Sequence, residues 1–165
     1  MKRLTLAAAL LLIAPALAPA QDANRQSQGQ GYLFVGPILT SYRGQSGGLS
    51  TGFGGELFVP QWMGVGAELA YASSYGANMG MGSIDFSYHP LGKHSRAQAF
   101  ATAGPSLYFG QRSIKTGFNL GGGVNYWLAK HLAFRFEVRD NFGIGNEEFL
   151  GITRFVAFRF GLTFK

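Results

Sequence analysis

Apolar and polar residues alternate with a period of two over much of this chain, and the alternation is clearest near the C-terminus. In residues 132–139 and 158–165, large apolar side chains at every second position are separated by charged or small residues. Because successive side chains of a β-strand point to opposite faces of a sheet, each segment predicts a strand with one apolar face and one polar face.

Eight such strands are predicted from residue 31 onward, separated by Gly, Pro, Ser, Asn or charged residues. Their spans are 31–39, 50–59, 64–73, 81–89, 97–109, 116–128, 132–141 and 152–164. The connections at 60–63 and 129–131 are short, the one at 90–96 is somewhat longer, and those at 40–49, 74–80, 110–115 and 142–151 are looser. Within the fifth strand, Pro105 cannot donate a hydrogen bond to a neighbouring strand, so it predicts a bulge or a local break.

An export signal precedes the strands. Lys2 and Arg3 are followed by an apolar run at residues 4–13 and by small residues up to Ala20, the arrangement of a secretory signal peptide. The run is shorter than the roughly 17 to 25 apolar residues that a membrane-spanning helix needs. We therefore predict a cleaved signal peptide at 1–20, a flexible N-terminal lead at 21–30 and one barrel domain at 31–165.

Strands with one charged face and one Phe-rich face need two different surroundings. The sequence contains no second layer that would cover the apolar faces, but lipid can cover them if the sheet closes on itself. The predicted fold is all-β: an eight-stranded antiparallel up-and-down transmembrane β-barrel. The alternation directs five phenylalanines toward lipid: Phe134, Phe136, Phe158, Phe160 and Phe164. It directs seven charged residues into the lumen: Glu56, Glu68, Asp85, Arg135, Glu137, Arg139 and Arg159.

The charged residues are predicted to form a paired network. The interior of an eight-stranded barrel is just wide enough for side chains to fill, and an unpaired buried charge is costly. A membrane barrel places its shorter turns in the periplasm, so the connections at 60–63, 90–96 and 129–131 are predicted to be periplasmic. Three aromatic residues lie near these strand ends: Trp62, Tyr126 and Trp127. Aromatic side chains favour the membrane interface, so we expect these three to belong to an interfacial girdle.

Composition narrows the possible chemistry. The chain has no cysteine, so disulfides and thiolate metal sites are excluded. Its net charge of +6 includes the two basic residues of the signal peptide, and no run of Lys or Arg accompanies it, so no nucleic-acid partner is expected. Because His89, His94 and His131 lie in or beside predicted periplasmic turns, we expect no catalytic residues, and we expect no metal or cofactor.

Residues 117–140 form a Gly-rich strand, a tight turn and a returning apolar and charged strand. They resemble the penultimate hairpin of small eight-stranded outer-membrane barrels, the OmpA/OmpX-like group. The last strand partly matches the assembly signal of such barrels at Arg159, Gly161 and Phe164, with Lys165 where an aromatic residue is usual. The resemblance implies the outer membrane of a Gram-negative bacterium as the location. The partners it implies are membrane lipid, lipopolysaccharide, the barrel-assembly machinery and periplasmic chaperones.

The expected function is that of a monomeric, non-enzymatic outer-membrane protein with a structural or surface-contact role and a side-chain-filled lumen. Three alternatives stay open. A soluble periplasmic barrel of the lipocalin kind would place the Phe side chains inside, around an apolar ligand. A barrel enzyme would modify lipid A, and a narrow gated pore would conduct ions past the charged residues.

Overall fold

Strands make up most of the chain that the computed structural model describes, which comprises residues 29–40, 47–59, 62–74, 77–90, 96–110, 114–143 and 154–165. The strands are β1 (Gly29–Thr40), β2 (Gly48–Phe58), β3 (Met63–Ser74), β4 (Ala77–Tyr88), β5 (Ala97–Phe109), β6 (Ile114–Ala129), β7 (Leu132–Gly143) and β8 (Arg154–Phe164). The predicted signal peptide and all but the last two residues of the predicted lead lie outside the described residues.

Each strand pairs in antiparallel fashion with the next one along the chain, and β1 pairs with β8. The sheet therefore closes into an eight-stranded barrel, which confirms the predicted architecture. Among the described strands, closure leaves no edge with a row of unpaired backbone groups. Within the described residues, no helix has the length and apolar character to cross a membrane.

The two ends of the barrel carry different connections. The end that we call the terminus end carries Gly29, Phe164 and the connections β2–β3, β4–β5 and β6–β7. The opposite end, the loop end, carries the other four connections. The predicted strand bounds agree with those of the structure within two residues, except that β4 begins at Ala77 instead of residue 81. The longer connection predicted at 74–80 is wrong, because the β3–β4 ladder continues to the pair Ser74 and Ala77.

Side chains alternate between the interior and the outer face along each strand. On β7, Arg135, Glu137 and Arg139 are buried, whereas Phe134 and Phe136 on the outer face are 56% and 42% exposed. Large apolar residues therefore cover the outside of the barrel and charged residues lie inside it. A barrel that spans a membrane needs this distribution, since its outer face meets hydrocarbon.

Two Gly-Pro pairs coincide with gaps in the hydrogen-bonded ladders. The β1–β8 ladder has a gap beside Gly36 and Pro37, and the β4–β5 ladder has one beside Gly104 and Pro105. Proline has no N–H group to donate. The register is the same on both sides of each gap, so no residue is inserted. The local break predicted at Pro105 is confirmed, whereas the alternative of a bulge is wrong there; a register shift occurs instead near the end of β6.

The glycine of each Gly-Pro pair lies against the backbone of the neighbouring strand. A methyl group at Gly36 would overlap the carbonyl oxygen of Phe158, and one at Gly104 would overlap that of Ile84. Because glycine has no Cβ, it allows the two backbones to approach this closely.

Gly36→Ala should lower the free energy of unfolding by about 1 to 3 kcal/mol, because the added methyl group would force β1 away from β8. Gly31→Ala is the matched control on the same strand, since a methyl group there would lie 3.8 Å from the Gly54 carbonyl oxygen, an ordinary contact. Urea unfolding in lipid vesicles, followed by tryptophan fluorescence, measures both variants. Equal stability of the two would contradict the tight packing at Gly36.

Candidate functional site in the barrel lumen

Six charged side chains meet in the middle of the lumen. We call them the ionic cluster: Glu68 on β3, Asp85 on β4, Arg135, Glu137 and Arg139 on β7, and Arg159 on β8. All six are buried. They converge because each occupies an inward position of its strand, and a closed sheet directs inward side chains toward one axis. The structure thus places six of the seven predicted lumen charges in one group.

Glu137 lies at the centre of the ionic cluster and is fully buried. Its carboxylate accepts hydrogen bonds from Nε and Nη2 of Arg135, at 3.1 and 2.9 Å, and from Nε of Arg139, at 2.5 Å. Nη1 of Arg159 lies 3.7 Å from the same carboxylate. Three guanidinium groups therefore surround one carboxylate, which offsets the large cost of removing that charge from water.

The other two carboxylates of the cluster are paired as well. Arg139 donates from Nη1 to Asp85 at 2.8 Å, and Asn119 donates to the other oxygen of Asp85 at 2.7 Å. Nη1 of Arg159 lies 2.9 and 3.0 Å from the two oxygens of Glu68, which also accepts a hydrogen bond from the Tyr32 hydroxyl. The cluster thus contains three carboxylates and three guanidinium groups, and its formal charge is zero.

Aromatic rings complete the surroundings of two arginines. The guanidinium carbon of Arg135 lies 4.3 Å from the centre of the Tyr32 ring and 3.9 Å from that of Phe100. The guanidinium carbon of Arg159 lies 4.2 Å from the centre of the Phe34 ring. A cation over an aromatic face is attracted to the ring's quadrupole, more strongly when water is absent. Tyr32, Phe34 and Phe100 are buried inside the barrel, which the local pattern of apolar residues does not predict.

The seventh predicted lumen charge, Glu56, forms a separate pair nearer the terminus end. Its carboxylate lies 2.9 Å from Nε2 of His89 and accepts a hydrogen bond from the Gln30 amide at 2.8 Å. Glu56 and His89 are both buried. The His89 ring lies between Phe58 and Phe100, with ring centres 5.0 and 5.9 Å away. His89 directly follows β4, beside a turn as expected, and its ring lies inside the lumen.

Among the described residues of the lumen, no serine hydroxyl is hydrogen-bonded to a histidine ring. A serine nucleophile needs a histidine within hydrogen-bond reach as its base. Nε2 of His89 is engaged by Glu56, and the buried hydroxyl of Ser87 has no hydrogen-bond partner in the described part of the chain. His131 is exposed in the β6–β7 turn, and His94 lies outside the described residues. The described residues also contain no group of three or more His, Asp or Glu side chains that could hold a metal ion.

Little free space separates the ionic cluster from the Glu56–His89 pair. A cavity of about 10 Å³ lies there, lined by Tyr32, Glu56, Gly66, Asp85, Ser87, Thr102, Arg135 and Arg139. This is room for about one water molecule. Two of the lining groups, the Ser87 hydroxyl and Nη1 of Arg135, are buried and have no hydrogen-bond partner among the described residues.

The structure places the predicted membrane-facing phenylalanines on the outer face. Phe134, Phe136, Phe160 and Phe164 are exposed there, and Phe158 points outward but is half-buried. Trp62 and Tyr126 are also exposed, and the ring of Trp62 packs edge-on against Tyr88 with centres 5.9 Å apart.

Trp127 does not belong to the outward girdle, so this prediction is wrong. Trp127 alternates with the outward-facing Tyr126 and pairs with Ala133, which is fully buried. The Trp127 ring is half-buried at the terminus end, with Nζ of Lys165 3.8 Å from its centre. Local alternation, rather than closeness to a strand end, decides which way the side chain faces.

The three residues of the predicted assembly signal occupy different surroundings on β8. Arg159 belongs to the ionic cluster, and Gly161 lies so close to β1 that a methyl group there would overlap the Leu33 carbonyl oxygen. Phe164 points outward at the terminus end. Lys165 follows it and donates its backbone N–H to the carbonyl oxygen of His131 at 3.2 Å.

Solved structures of small outer-membrane barrels are similar to this chain. The N-terminal β-barrel domain of Pseudomonas aeruginosa OprF matches with a TM-score of 0.63 and 14% identity, over 85% of this chain and 98% of that one. Neisserial surface protein A (NspA) matches with a TM-score of 0.61 and 17% identity, over 84% and 97%. The outer membrane protein OprG from Pseudomonas aeruginosa matches with a TM-score of 0.54 and 14% identity, over 87% and 99%. A scan of protein-family models and a search of curated proteins gave no match.

The fold of the chain is that of the small eight-stranded outer-membrane β-barrels. The apolar outer face and the buried charges agree with that fold. The chain therefore shares their closed eight-stranded architecture.

Glu137→Gln should lower the free energy of unfolding by about 3 to 5 kcal/mol, because it leaves buried guanidinium groups without their shared carboxylate. Asp140→Asn, on the same strand, removes a carboxylate that pairs with the exposed Arg154 and should change stability little, since solvent weakens such a pair. Urea unfolding of both variants in lipid vesicles makes the comparison. An equal loss in the two variants would mean that the ionic cluster is no more sensitive than the surface pair.

Proposed function

We propose that the protein acts in the outer membrane of a Gram-negative bacterium as a monomeric, non-enzymatic barrel with a structural or surface-contact role and a closed lumen. One observation carries the proposal: charged side chains fill the inside of the barrel while large apolar side chains cover its outside. Such a molecule is stable where lipid surrounds it. Its lumen holds paired charges in place of a ligand.

The outer face supports a membrane-spanning role in detail. Exposed apolar residues occur on every strand, and aromatic residues lie toward both ends of the barrel. Those near the terminus end are Trp62, Tyr88 and Tyr126, and those near the loop end are Tyr71, Phe109 and Phe118. Aromatic girdles at two levels are typical of transmembrane barrels, because the rings sit at the lipid headgroups.

The soluble lipocalin-like alternative does not fit this geometry. A barrel that binds an apolar ligand would turn its Phe side chains inward and leave a cavity, and small-molecule sites occupy roughly 300 to 1,000 Å³. Here Phe134, Phe136 and Phe160 are exposed on the outside, and the space beside the ionic cluster is about 10 Å³. The enzyme alternative lacks a nucleophile and base within reach of one another in the described lumen.

The loop end is the candidate for surface contacts. Outer-membrane barrels place short turns in the periplasm and longer connections outside, so the terminus end would face the periplasm. Connections at the loop end would then meet the outer leaflet, where lipopolysaccharide is the expected partner. Assembly machinery and periplasmic chaperones are proposed as transient partners, and nucleic acid is not.

Cell fractionation with a heat-modifiability assay tests the proposed location and fold together. The protein should remain in washed outer membranes, and its mobility on a detergent gel should change when the sample is boiled. The physical reason is that a closed barrel resists detergent until heat separates its strands. A soluble periplasmic protein whose mobility is the same before and after boiling would overturn the proposal.

Phe136→Arg should destabilise the folded protein in lipid by about 2 to 4 kcal/mol, because the charge would face hydrocarbon near the bilayer midplane. Phe164→Arg is the matched control at the terminus end, where the same scale gives about 0 to 1 kcal/mol. Folding titrations in vesicles measure the difference. Equal costs for the two substitutions would contradict the proposed placement of the membrane along the barrel.

A further inference from the structure

The strand connections at the two ends of the barrel differ in charge. In the sequence, the three connections at the terminus end contain no Asp or Glu and three basic residues: Lys93, Arg96 and Lys130. The four connections at the loop end contain two basic and two acidic residues: Arg43, Arg112, Glu147 and Glu148. The connections of the terminus end therefore carry a net positive charge, and those of the loop end are balanced.

Two of the cations at the terminus end are exposed and lie on neighbouring strands. Arg96 directly precedes β5, and Lys130 lies with His131 in the β6–β7 turn. The Trp127 N–H donates to the Arg96 carbonyl oxygen at 2.7 Å, and the Lys165 N–H donates to the His131 carbonyl oxygen at 3.2 Å. These backbone hydrogen bonds hold the ends of β5 to β8 together. We call the exposed residues Arg96, Lys130 and His131 the basic rim.

The basic rim borders the outer apolar surface of the barrel. Ala97, next to Arg96, pairs with Tyr126, whose side chain is exposed on the outer face. Leu128, two residues before Lys130, is exposed there as well. Aromatic rings favour the headgroup level of a membrane, and the long side chains of Lys and Arg extend from an apolar surface toward polar surroundings. The two cations therefore lie within reach of headgroup phosphates.

The opposite side of the same end has aromatic residues without cations. In a closed barrel of eight strands, the β2–β3 connection lies across from the β6–β7 turn. Trp62 in that connection is exposed and packs against Tyr88, and residues 59–62 contain no charged residue. Aromatic rings anchor a protein at the interface, but they do not distinguish headgroups by charge as a cation does. The two sides of the terminus end thus offer lipid different chemistry.

We propose that the basic rim binds anionic phospholipids in preference to zwitterionic ones. The inference rests on the proposed membrane-spanning role, with the terminus end at the periplasmic leaflet, and adds to it a lipid class and a side of the barrel. The Arg96 guanidinium can donate paired hydrogen bonds to a phosphate group, and Lys130 supplies a compact charge. A zwitterionic headgroup has the same phosphate, but its own cation offsets the attraction.

Quenching of tryptophan fluorescence by brominated lipids tests the preference on each side of the barrel, because bromine quenches only nearby rings. The chain has two tryptophans, Trp62 and Trp127. The triple variant Trp62→Phe/Tyr126→Trp/Trp127→Phe has its tryptophan at residue 126, beside the basic rim. The variant Trp127→Phe keeps Trp62 alone, on the opposite side. Each full-length protein is folded into phosphatidylcholine vesicles with the same fraction of brominated phosphatidylglycerol or brominated phosphatidylcholine.

The tryptophan at residue 126 should show a two- to fivefold preference for phosphatidylglycerol, since one cation near an anionic headgroup contributes up to about a factor of five. High salt should weaken this preference. Trp62 should show none. In the triple variant, Arg96→Gln and Lys130→Gln should each lower the preference and together remove it. Arg154→Gln also removes one positive charge, but at the loop end, and should leave the preference unchanged.

Equal quenching by the two lipids at residue 126 would overturn the proposal. An equal preference at Trp62 would do the same, and so would a preference that persists without Arg96 and Lys130. Each protein is first checked for the boiling-dependent gel shift, so that only folded barrels are compared. Because both leaflets of these vesicles have the same composition, the result does not depend on orientation. Cell fractionation tests the membrane location separately.

Native mass spectrometry covers the case in which a tryptophan variant does not fold. The native chain, released from micelles with equal amounts of phosphatidylglycerol and phosphatidylcholine, should retain more phosphatidylglycerol. The Arg96→Gln/Lys130→Gln variant of the native chain, changed only at exposed side chains, should retain the two lipids equally. Equal retention by the native chain would overturn the proposal.

Discussion

The pairing of β1 with β8 leaves no unpaired edge among the eight described strands, and a sheet in hydrocarbon must be closed in this way. Lipid offers no hydrogen bonds, so a spanning sheet must satisfy all its backbone groups within itself. Closing a sheet of only eight strands also makes the interior narrow. Any charge that the alternation turns inward is then pressed against other side chains, and it must find its counter-charge among them.

In the ionic cluster, one charged group serves as the counter-charge of several others. Glu137 is surrounded by three arginines, and two of these reach onward to Asp85 and Glu68 on other strands. Ion pairs so deeply buried contribute little net stability compared with a well-packed apolar core. They do make the register costly to change, because a slip of one residue would turn a whole row of charges toward lipid. The ionic cluster thus favours the observed register of β3, β4, β7 and β8 over registers shifted by one residue.

Much of this arrangement could be predicted from local patterns, and the parts that could not have a common cause. On β7 and β8 the alternation of Phe with Arg and Glu is unambiguous. The sequence of each strand therefore predicts which side chains point inward and which point outward. On β1, Tyr32 and Phe34 point inward while Leu33 and Val35 point outward, and all four are apolar. The interior has room for the first two because glycines lie opposite them on β2, a match between strands that no single segment reveals.

The buried apolar cluster near the loop end, which includes Ile38, Met79 and Met81, could not be predicted for the same reason. Met79 lies in a segment with a composition typical of a connection, and its partners come from four other strands. Closeness to a strand end predicts an interfacial position for Trp127, whereas the alternation of β6 turns its side chain inward. The local sequence thus predicts which segments form strands. Which side chains fill the lumen depends also on how the strands pair with one another.

The two Gly-Pro pairs have a consequence for how the charges are distributed. They lie four strands apart, so a half-turn about the barrel axis brings β1 onto β5 and β8 onto β4. Gly36 approaches the backbone of Arg159, and Gly104 approaches that of Asp85 in the same way. Symmetry-equivalent sites therefore hold opposite charges. Two identical four-stranded units would place the same charge at both sites and could not balance it there, whereas one continuous chain can make the two sites complementary.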